Sequence, residues 1–61
     1  MRLREIRERK GLTQREIADK LKMSYTYLCN LERGKANVSL YTLRRLAKLL
    51  RVRVADLVAD E

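Results

Sequence analysis

Apolar residues recur along the chain at the three- and four-residue spacing of amphipathic helices, most clearly in residues 13–34. This segment predicts two short helices joined by a tight turn that contains Met23. The residues expected to face inward are Ile17, Ala18 and Leu21 in the first helix and Leu28 and Leu31 in the second. Helices that cross steeply within a few residues need a small side chain where they are closest, and Ala18 meets that need.

Capping residues predict where the helices begin. Thr13 and Glu16 have the spacing of a capping box, in which each residue's side chain accepts a hydrogen bond from the other's backbone N–H. Ser24 and Ser39 are expected to cap the next two helices. A first helix is expected over residues 2–10, with Leu3 and Ile6 on its inward side, and the second helix of the pair over residues 24–33.

Left-handed residues are expected where the helices end. Gly11 and Gly34 are suited to this conformation. Lys22 stands at the centre of the turn between the paired helices, where glycine is common, and a left-handed lysine there should cost about 1 kcal/mol.

The C-terminal third predicts a longer helix and a short final one. Ser39 begins the longer helix, whose expected buried stripe is Leu40, Leu43, Leu46, Ala47 and Leu50. Tyr41 is expected to pack against the protein rather than to reach a phosphate. A short helix is expected over residues 54–58. Asp56 within it and Asp60 and Glu61 beyond it give a negative end, which is expected to face away from any polyanionic ligand. The fold class is therefore all-α: a compact bundle of four to five short helices in one domain, residues 1–61, with a helix-turn-helix at about residues 13–33.

The outward face of the second paired helix differs from an ordinary solvated face. It carries Tyr25, Thr26, Cys29 and Asn30, and none of these is acidic. Asparagine can hold adenine by two hydrogen bonds, and threonine and tyrosine offer both apolar and hydroxyl groups. This face is therefore predicted to contact a ligand, with Cys29 as a small spacer rather than a reactive thiol.

Arg7 lies at the edge of the inward face of the first helix, next to Ile6. A buried charge needs a partner, because an unpaired one costs several kcal/mol. Glu32 is the only acidic residue of its helix and lies near that helix's inward edge, so we expect the two side chains to form an ion pair. The alternative is that Arg7 extends to solvent.

Composition limits the function. The 61 residues carry a formal net charge of +7, which favours a polyanionic partner such as nucleic acid or an anionic membrane surface over a merely charged helical surface. The chain has one cysteine, no histidine, no glycine-rich phosphate loop and no apolar run of membrane-spanning length. An internal disulfide is therefore excluded, and no enzyme activity, metal, cofactor, small-molecule ligand or membrane association is expected. The expected location is the cytoplasm.

Six segments, in order and at the right spacing, resemble the helix-turn-helix domains of the lambda repressor/Cro group, the XRE family. They are R-E-R-K-G-L-T-Q at 7–14, E-I-A at 16–18, M-S at 23–24, L-E-R-G at 31–34, S-L-Y-T-L-R-R-L-A-K-L-L at 39–50 and V-A-D-L at 54–57. The chain departs from the family pattern at Lys22 and Arg51, where glycine is usual, and at Val38, where proline is frequent.

The resemblance implies five helices, of which the third enters the major groove of DNA. It implies base contacts by Gln14, Ser24, Tyr25, Thr26 and Asn30, with Gln14 also touching the DNA backbone. The phosphate contacts that it implies are Arg33, Lys35, Asn37 and Ser39, to which we add Arg15, beside Gln14. An ion pair such as Arg7–Glu32 is also familiar in these domains.

Two functions follow as hypotheses. The first is a sequence-specific regulator of transcription that binds a palindromic operator as a homodimer. A repressor is expected, and activation of transcription, which members of this family can also perform, is the alternative. Its self-contact would involve Val52, Val54, Leu57 and Val58, unless these residues close the core of the monomer instead. The alternative is a protein-interaction module, such as an antitoxin or a transcription-bridging factor, and a shallow salt dependence of binding would distinguish it.

Overall fold

The computed structural model describes residues 1–58, which form five helices and no strand. The helices are α1 (Leu3–Arg9), α2 (Gln14–Leu21), α3 (Tyr25–Glu32), α4 (Leu40–Leu50) and α5 (Val54–Val58). The predicted all-α class is thus confirmed, with five helices. The acidic residues Asp60 and Glu61 lie outside the described residues, so the predicted orientation of that end stays a prediction.

The predicted caps are present at the start of α2, α3 and α4. The Thr13 side chain accepts a hydrogen bond from the backbone N–H of Glu16 at 3.0 Å, and the Glu16 carboxylate accepts one from the N–H of Thr13 at 2.8 Å. Ser24 and Ser39 accept hydrogen bonds from the N–H groups of Tyr27 and Thr42, three residues later. Each cap pairs a backbone donor that the helix itself leaves without a partner.

The first four helices end in the same way, with one residue in the left-handed conformation. These residues are Gly11 (φ 75°), Lys22 (φ 55°), Gly34 (φ 73°) and Arg51 (φ 58°). Each is followed by a residue whose N–H bonds back to the last turn, as Lys35 does to the Asn30 carbonyl at 2.8 Å. The predicted left-handed Lys22 is confirmed. Lys22 and Arg51 therefore carry a backbone strain that glycine would avoid at the same positions.

Within residues 1–58, twelve buried hydrophobic residues form one core that draws on all five helices. They are Leu3, Ile6, Ile17, Ala18, Leu21, Leu28, Leu31, Leu43, Leu46, Ala47, Leu50 and Leu57. The prediction for Leu40 was wrong: 54% of it is exposed, because it lies at the edge of the apolar stripe in the first turn of α4. Tyr41 was also expected to pack, but it is 70% exposed and its ring lies 5.6 Å from the Arg45 guanidinium on the outer side of α4.

The short α5 closes the bundle against α1. Leu57 has no exposed surface, and its carbonyl accepts a hydrogen bond from the Arg2 N–H at 2.7 Å. Leu57 therefore belongs to the core of the monomer, which is the second of the two alternatives given for it, and it leaves no side-chain surface for a contact with a second copy. Val52 and Val54 are partly buried against the core, whereas Val58 is 47% exposed.

The predicted ion pair between Arg7 and Glu32 is present and nearly buried. Arg7 Nε lies 2.6 Å from Glu32 Oε2 and Nη2 lies 3.3 Å from Oε1, while the two side chains are only 11% and 4% exposed. Arg7 Nη1 also donates to the Leu12 carbonyl at 2.8 Å. One guanidinium thus joins α1, the loop before α2 and the end of α3.

We predict that Arg7→Met destabilises the fold by about 3–5 kcal/mol, because it leaves the Glu32 carboxylate buried without its cation. Urea unfolding followed by circular dichroism measures this. The double variant Arg7→Met/Glu32→Leu should recover much of the loss, since no unpaired charge remains. Arg4→Met is the matched control: Arg4 pairs with Glu8 in solvent, and its loss should cost less than about 1 kcal/mol. Equal losses in the free energy of unfolding for Arg7→Met and Arg4→Met would contradict the role of Arg7 as the cation that pairs with the buried Glu32 carboxylate.

We further predict opposite effects at two left-handed positions. A Cβ added at Gly34 would meet no atom within 4 Å, so Gly34→Ala should destabilise the fold only through its backbone strain, by about 1 kcal/mol. Lys22→Gly relieves the same strain and should be neutral or stabilising by up to about 1 kcal/mol. Thermal unfolding of both variants tests this. A destabilising Lys22→Gly would show that the lysine side chain contributes more than its strain costs.

Candidate nucleic-acid interface

The helix-turn-helix consists of α2 and α3 joined by residues 22–24. Ala18 is 2% exposed and Leu28 has no exposed surface, so the small side chain predicted at the crossing lies in the interior. Arg45 of α4 donates to the Leu21 carbonyl at 2.6 Å, at the end of α2 where backbone acceptors lack partners within the helix. The pair of helices is therefore held by the core on one side and by α4 at its turn.

The outer face of α3 carries polar side chains that have no hydrogen-bond partner among the described residues. Thr26 is exposed and Asn30 half-buried, and the side chains of both make no hydrogen bond within the described part of the chain. The other predicted base contact on this face, Tyr25, is 43% exposed. No residue of α3 other than Glu32 is acidic, and Glu32 points inward. The face therefore offers donors, acceptors and an aromatic ring without a negative charge.

Gln14 is joined to α3 by three hydrogen bonds, two of them to residues of the outer face. Its Nε2 donates to Glu32 Oε1 at 2.9 Å, and its Oε1 accepts from the Tyr25 hydroxyl at 3.2 Å and the Cys29 thiol at 3.4 Å. The orientation of the amide follows from chemistry, because the ionised carboxylate can only accept and must face the NH₂ group. Gln14 thus connects the buried Arg7–Glu32 ion pair to Tyr25 through hydrogen bonds.

Tyr25 is also held from a second direction. The guanidinium carbon of Arg15 lies 4.8 Å from the centroid of the Tyr25 ring, within the range of a cation–π contact. The ring therefore lies against Arg15 while its hydroxyl is bonded to Gln14. Both contacts come from the first two residues of α2, so α2 fixes a side chain at the start of α3.

The predicted phosphate contacts lie at both ends of α3. Arg15, Arg33 and Lys35 are exposed, and none forms an ion pair within residues 1–58. Asn37 is exposed as well, and its carbonyl accepts a hydrogen bond from the Tyr27 hydroxyl at 3.1 Å, which ties the loop to α3. Ser39 caps α4 and its hydroxyl also donates to Thr42 Oγ1 at 3.1 Å. The structure contains no nucleic acid, so the base and phosphate contacts stay predictions.

Sequence reasoning missed the hydrogen bonds of Gln14 and Arg45. Nothing in the spacing from Gln14 to Glu32 marks them as neighbours. Arg45 is not part of the predicted buried stripe of its helix, and its guanidinium nevertheless reaches a backbone carbonyl. Both contacts depend on the crossing of helices distant in sequence.

The part of the chain that the structure describes contains no group of three or more potential metal ligands. None of its helices is long and apolar enough to span a membrane.

The family model described as Helix-turn-helix matches residues 3–57, nearly the whole chain. The chain belongs to this helix-turn-helix family. Similar proteins include the HTH-type transcriptional regulator DdrOP3 of Deinococcus deserti, which is 46% identical over 57 residues, covering 93% of this chain and 44% of the relative. The immunity repressor protein of Bacillus phage phi105 is 38% identical over 60 residues, covering 98% of this chain and 42% of that protein.

A shorter relative is an uncharacterised HTH-type transcriptional regulator of Archaeoglobus fulgidus, 38% identical over 56 residues, with 92% of this chain and 80% of that protein covered. The chain spans less than half the length of the Deinococcus deserti regulator and of the phage repressor. No solved structure gives a significant match to the chain.

The capping box at the start of α2 predicts a pH dependence of stability. The Thr13 backbone N–H lowers the pKa of the Glu16 carboxyl, and the Thr13 side chain and the Lys20 charge act in the same direction. A carboxyl whose pKa is lowered on folding stabilises the fold above its unfolded pKa, and this contribution declines as the pH falls through the folded pKa. The stability difference between the wild type and Glu16→Gln should therefore shrink from pH 7 to about pH 3.

Urea unfolding at several pH values measures this difference. Asp19→Asn is the matched control, because the exposed Asp19 side chain makes no hydrogen bond or ion pair among the described residues. The difference in unfolding free energy between Asp19→Asn and the wild type should change less with pH than the difference for Glu16→Gln. A Glu16→Gln difference that stays constant down to pH 3 would contradict the role of the ionised carboxylate.

Proposed function

We propose that the protein is a DNA-binding regulator of transcription whose α3 enters the major groove of double-stranded DNA and contacts base edges. The observation that carries this proposal is the outer face of α3, where Thr26 and Asn30 have no partner within the described residues and no carboxylate is exposed. Regulators and a repressor are also what the relatives are named. Such a protein would act in the cytoplasm.

Each predicted base contact would have its own chemistry. Asn30 can accept from and donate to adenine through one amide, which requires both its polar atoms to be available. Thr26 and Ser24 can each offer a hydroxyl to a base edge, although the Ser24 oxygen already caps α3. Tyr25 presents its ring, supported by Gln14.

Exposed cationic side chains would supply the part of the binding affinity that does not depend on the DNA sequence. Arg15 precedes α3, while Arg33 and Lys35 follow it, so the phosphates on either side of the groove would meet a positive charge. Asn37 and Ser39 would add contacts from the loop and the start of α4. Each phosphate neutralised releases condensed counterions, which makes binding weaken steeply with salt.

One helix contacts only a few base pairs, so we propose a homodimer on a palindromic operator with half-sites about one helical turn apart. Val58 is the best-placed residue for the contact between copies, because it is apolar and 47% exposed at the end of α5. Val52 and Val54, which are half-buried against the core, are the other residues proposed for this contact. A dimer bound at a promoter would act as a repressor by occupying the site.

Selection from a randomised duplex pool, followed by affinity measurements on the selected site and on a scrambled duplex, tests this proposal. Asn30→Ala should weaken binding to the selected site by about 1–3 kcal/mol and relax the preference at one position, with little effect on the scrambled duplex. Lys35→Ala should weaken binding to both duplexes alike and make the log–log salt slope shallower by about 0.9. Lys48→Ala, an exposed lysine of α4 outside the predicted contacts, is the charge control.

Equal losses on both duplexes for Asn30→Ala would show that Asn30 is not a base contact. Salt-sensitive binding without any selected motif would contradict sequence-specific recognition. Absence of binding even at low salt would contradict DNA binding altogether and favour a protein-interaction module.

A further inference from the structure

We propose that Tyr25 contacts the C5-methyl group of a thymine, so that one position of the DNA site is recognised by apolar contact rather than by a hydrogen bond. The inference rests on the proposed function, because it concerns the same face of α3. It names a chemical feature of the DNA that neither the family match nor the relatives specify.

The polar groups around Tyr25 are already engaged within the protein. The Tyr25 hydroxyl donates its only proton to Gln14 Oε1, and the Cys29 thiol donates to the same oxygen. Gln14 Nε2 donates to the Glu32 carboxylate, whose side chain is 4% exposed. Both lone pairs of Gln14 Oε1 are therefore occupied, and for Gln14 to accept a hydrogen bond from adenine it would have to give up the one from Tyr25 or the one from Cys29.

With the hydroxyl proton engaged, Tyr25 offers a ligand mainly the carbon atoms of its ring. Tyr25 is 43% exposed, and the Arg15 guanidinium lies 4.8 Å from its ring centroid. The ring is thus held by its hydroxyl at one end and by a cation against its π system, with carbon atoms available to a ligand. Among the base edges in the major groove, only that of thymine carries an apolar group, the C5-methyl.

Thr26 is the competing residue for such a contact, because it also has a methyl group on this face. Its hydroxyl has no partner within the described residues, however, so Thr26 can also serve a base by hydrogen bonding. The two residues can be separated experimentally. Thr26→Ser removes only the methyl group, and Tyr25→Phe removes only the hydroxyl.

The test is a thymine-to-deoxyuracil scan of the duplex selected by the wild-type protein. Deoxyuracil lacks the C5-methyl but keeps the O4 acceptor and the base pairing. One thymine in each half-site should show a loss of about fourfold in affinity, as expected for the burial of one methyl group. Tyr25→Ala should abolish this discrimination at that position, whereas Tyr25→Phe and Thr26→Ser should retain it.

The measured quantity is the ratio of thymine to deoxyuracil affinity within each variant, so a general loss of binding cancels. Circular dichroism confirms that each variant is folded. If Tyr25→Ala retains the discrimination, if Thr26→Ser abolishes it, or if no thymine in the motif is sensitive, the methyl contact is overturned while the regulator proposal stands. If the wild type selects no motif, both are overturned.

Discussion

The burial of Arg7 and Glu32 in a chain of 61 residues carries a desolvation cost that only a well-paired arrangement offsets. Arg7 donates twice to the carboxylate and once to the Leu12 carbonyl, and Gln14 donates to Glu32 Oε1, the oxygen that also accepts from Arg7 Nη2. The pair therefore fixes the end of α3 against α1 and against the start of α2. Removing either residue would disturb the position of the surface that we assign to DNA.

A short series of side-chain contacts connects the buried ion pair to the outer face of α3. The carboxylate orients the Gln14 amide, the amide orients the Tyr25 hydroxyl, and Arg15 supports the ring. The side chains of Thr26 and Asn30, by contrast, carry no such internal bonds within the described residues. One end of the predicted interface is thus preorganised, which lowers the conformational entropy lost on binding, while the rest is free to adapt to the base edges.

Much of the fold could be predicted because its determinants are local. Thr13, Ser24 and Ser39 show their capping role in sequence, and the helical spacing of leucines indicates the core. Leu40 and Tyr41 were misplaced because burial at a helix start depends on how far the neighbouring helices extend. The Arg7–Glu32 pair was predictable from charge and helical phase, since each lies near an inward edge and Glu32 is the only acid of α3.

Contacts between side chains distant in sequence could not be predicted. Gln14 and Glu32 are 18 positions apart, and only the crossing of α2 and α3 brings them within 2.9 Å. The reach of Arg45 to the Leu21 carbonyl likewise depends on the packing of α4 beside the turn.

The most direct test of the account is an NMR titration of the ¹⁵N-labelled protein with the selected duplex, which maps the shifted amide signals onto the fold. The account predicts that the largest shifts lie at the start of α2, along α3 and in the loop to Ser39. Signals of α1 and of the outer side of α4 around Tyr41 should change little. Shifts concentrated on α4 and α5, with α3 unaffected, would contradict the assignment of α3 as the DNA-contacting helix.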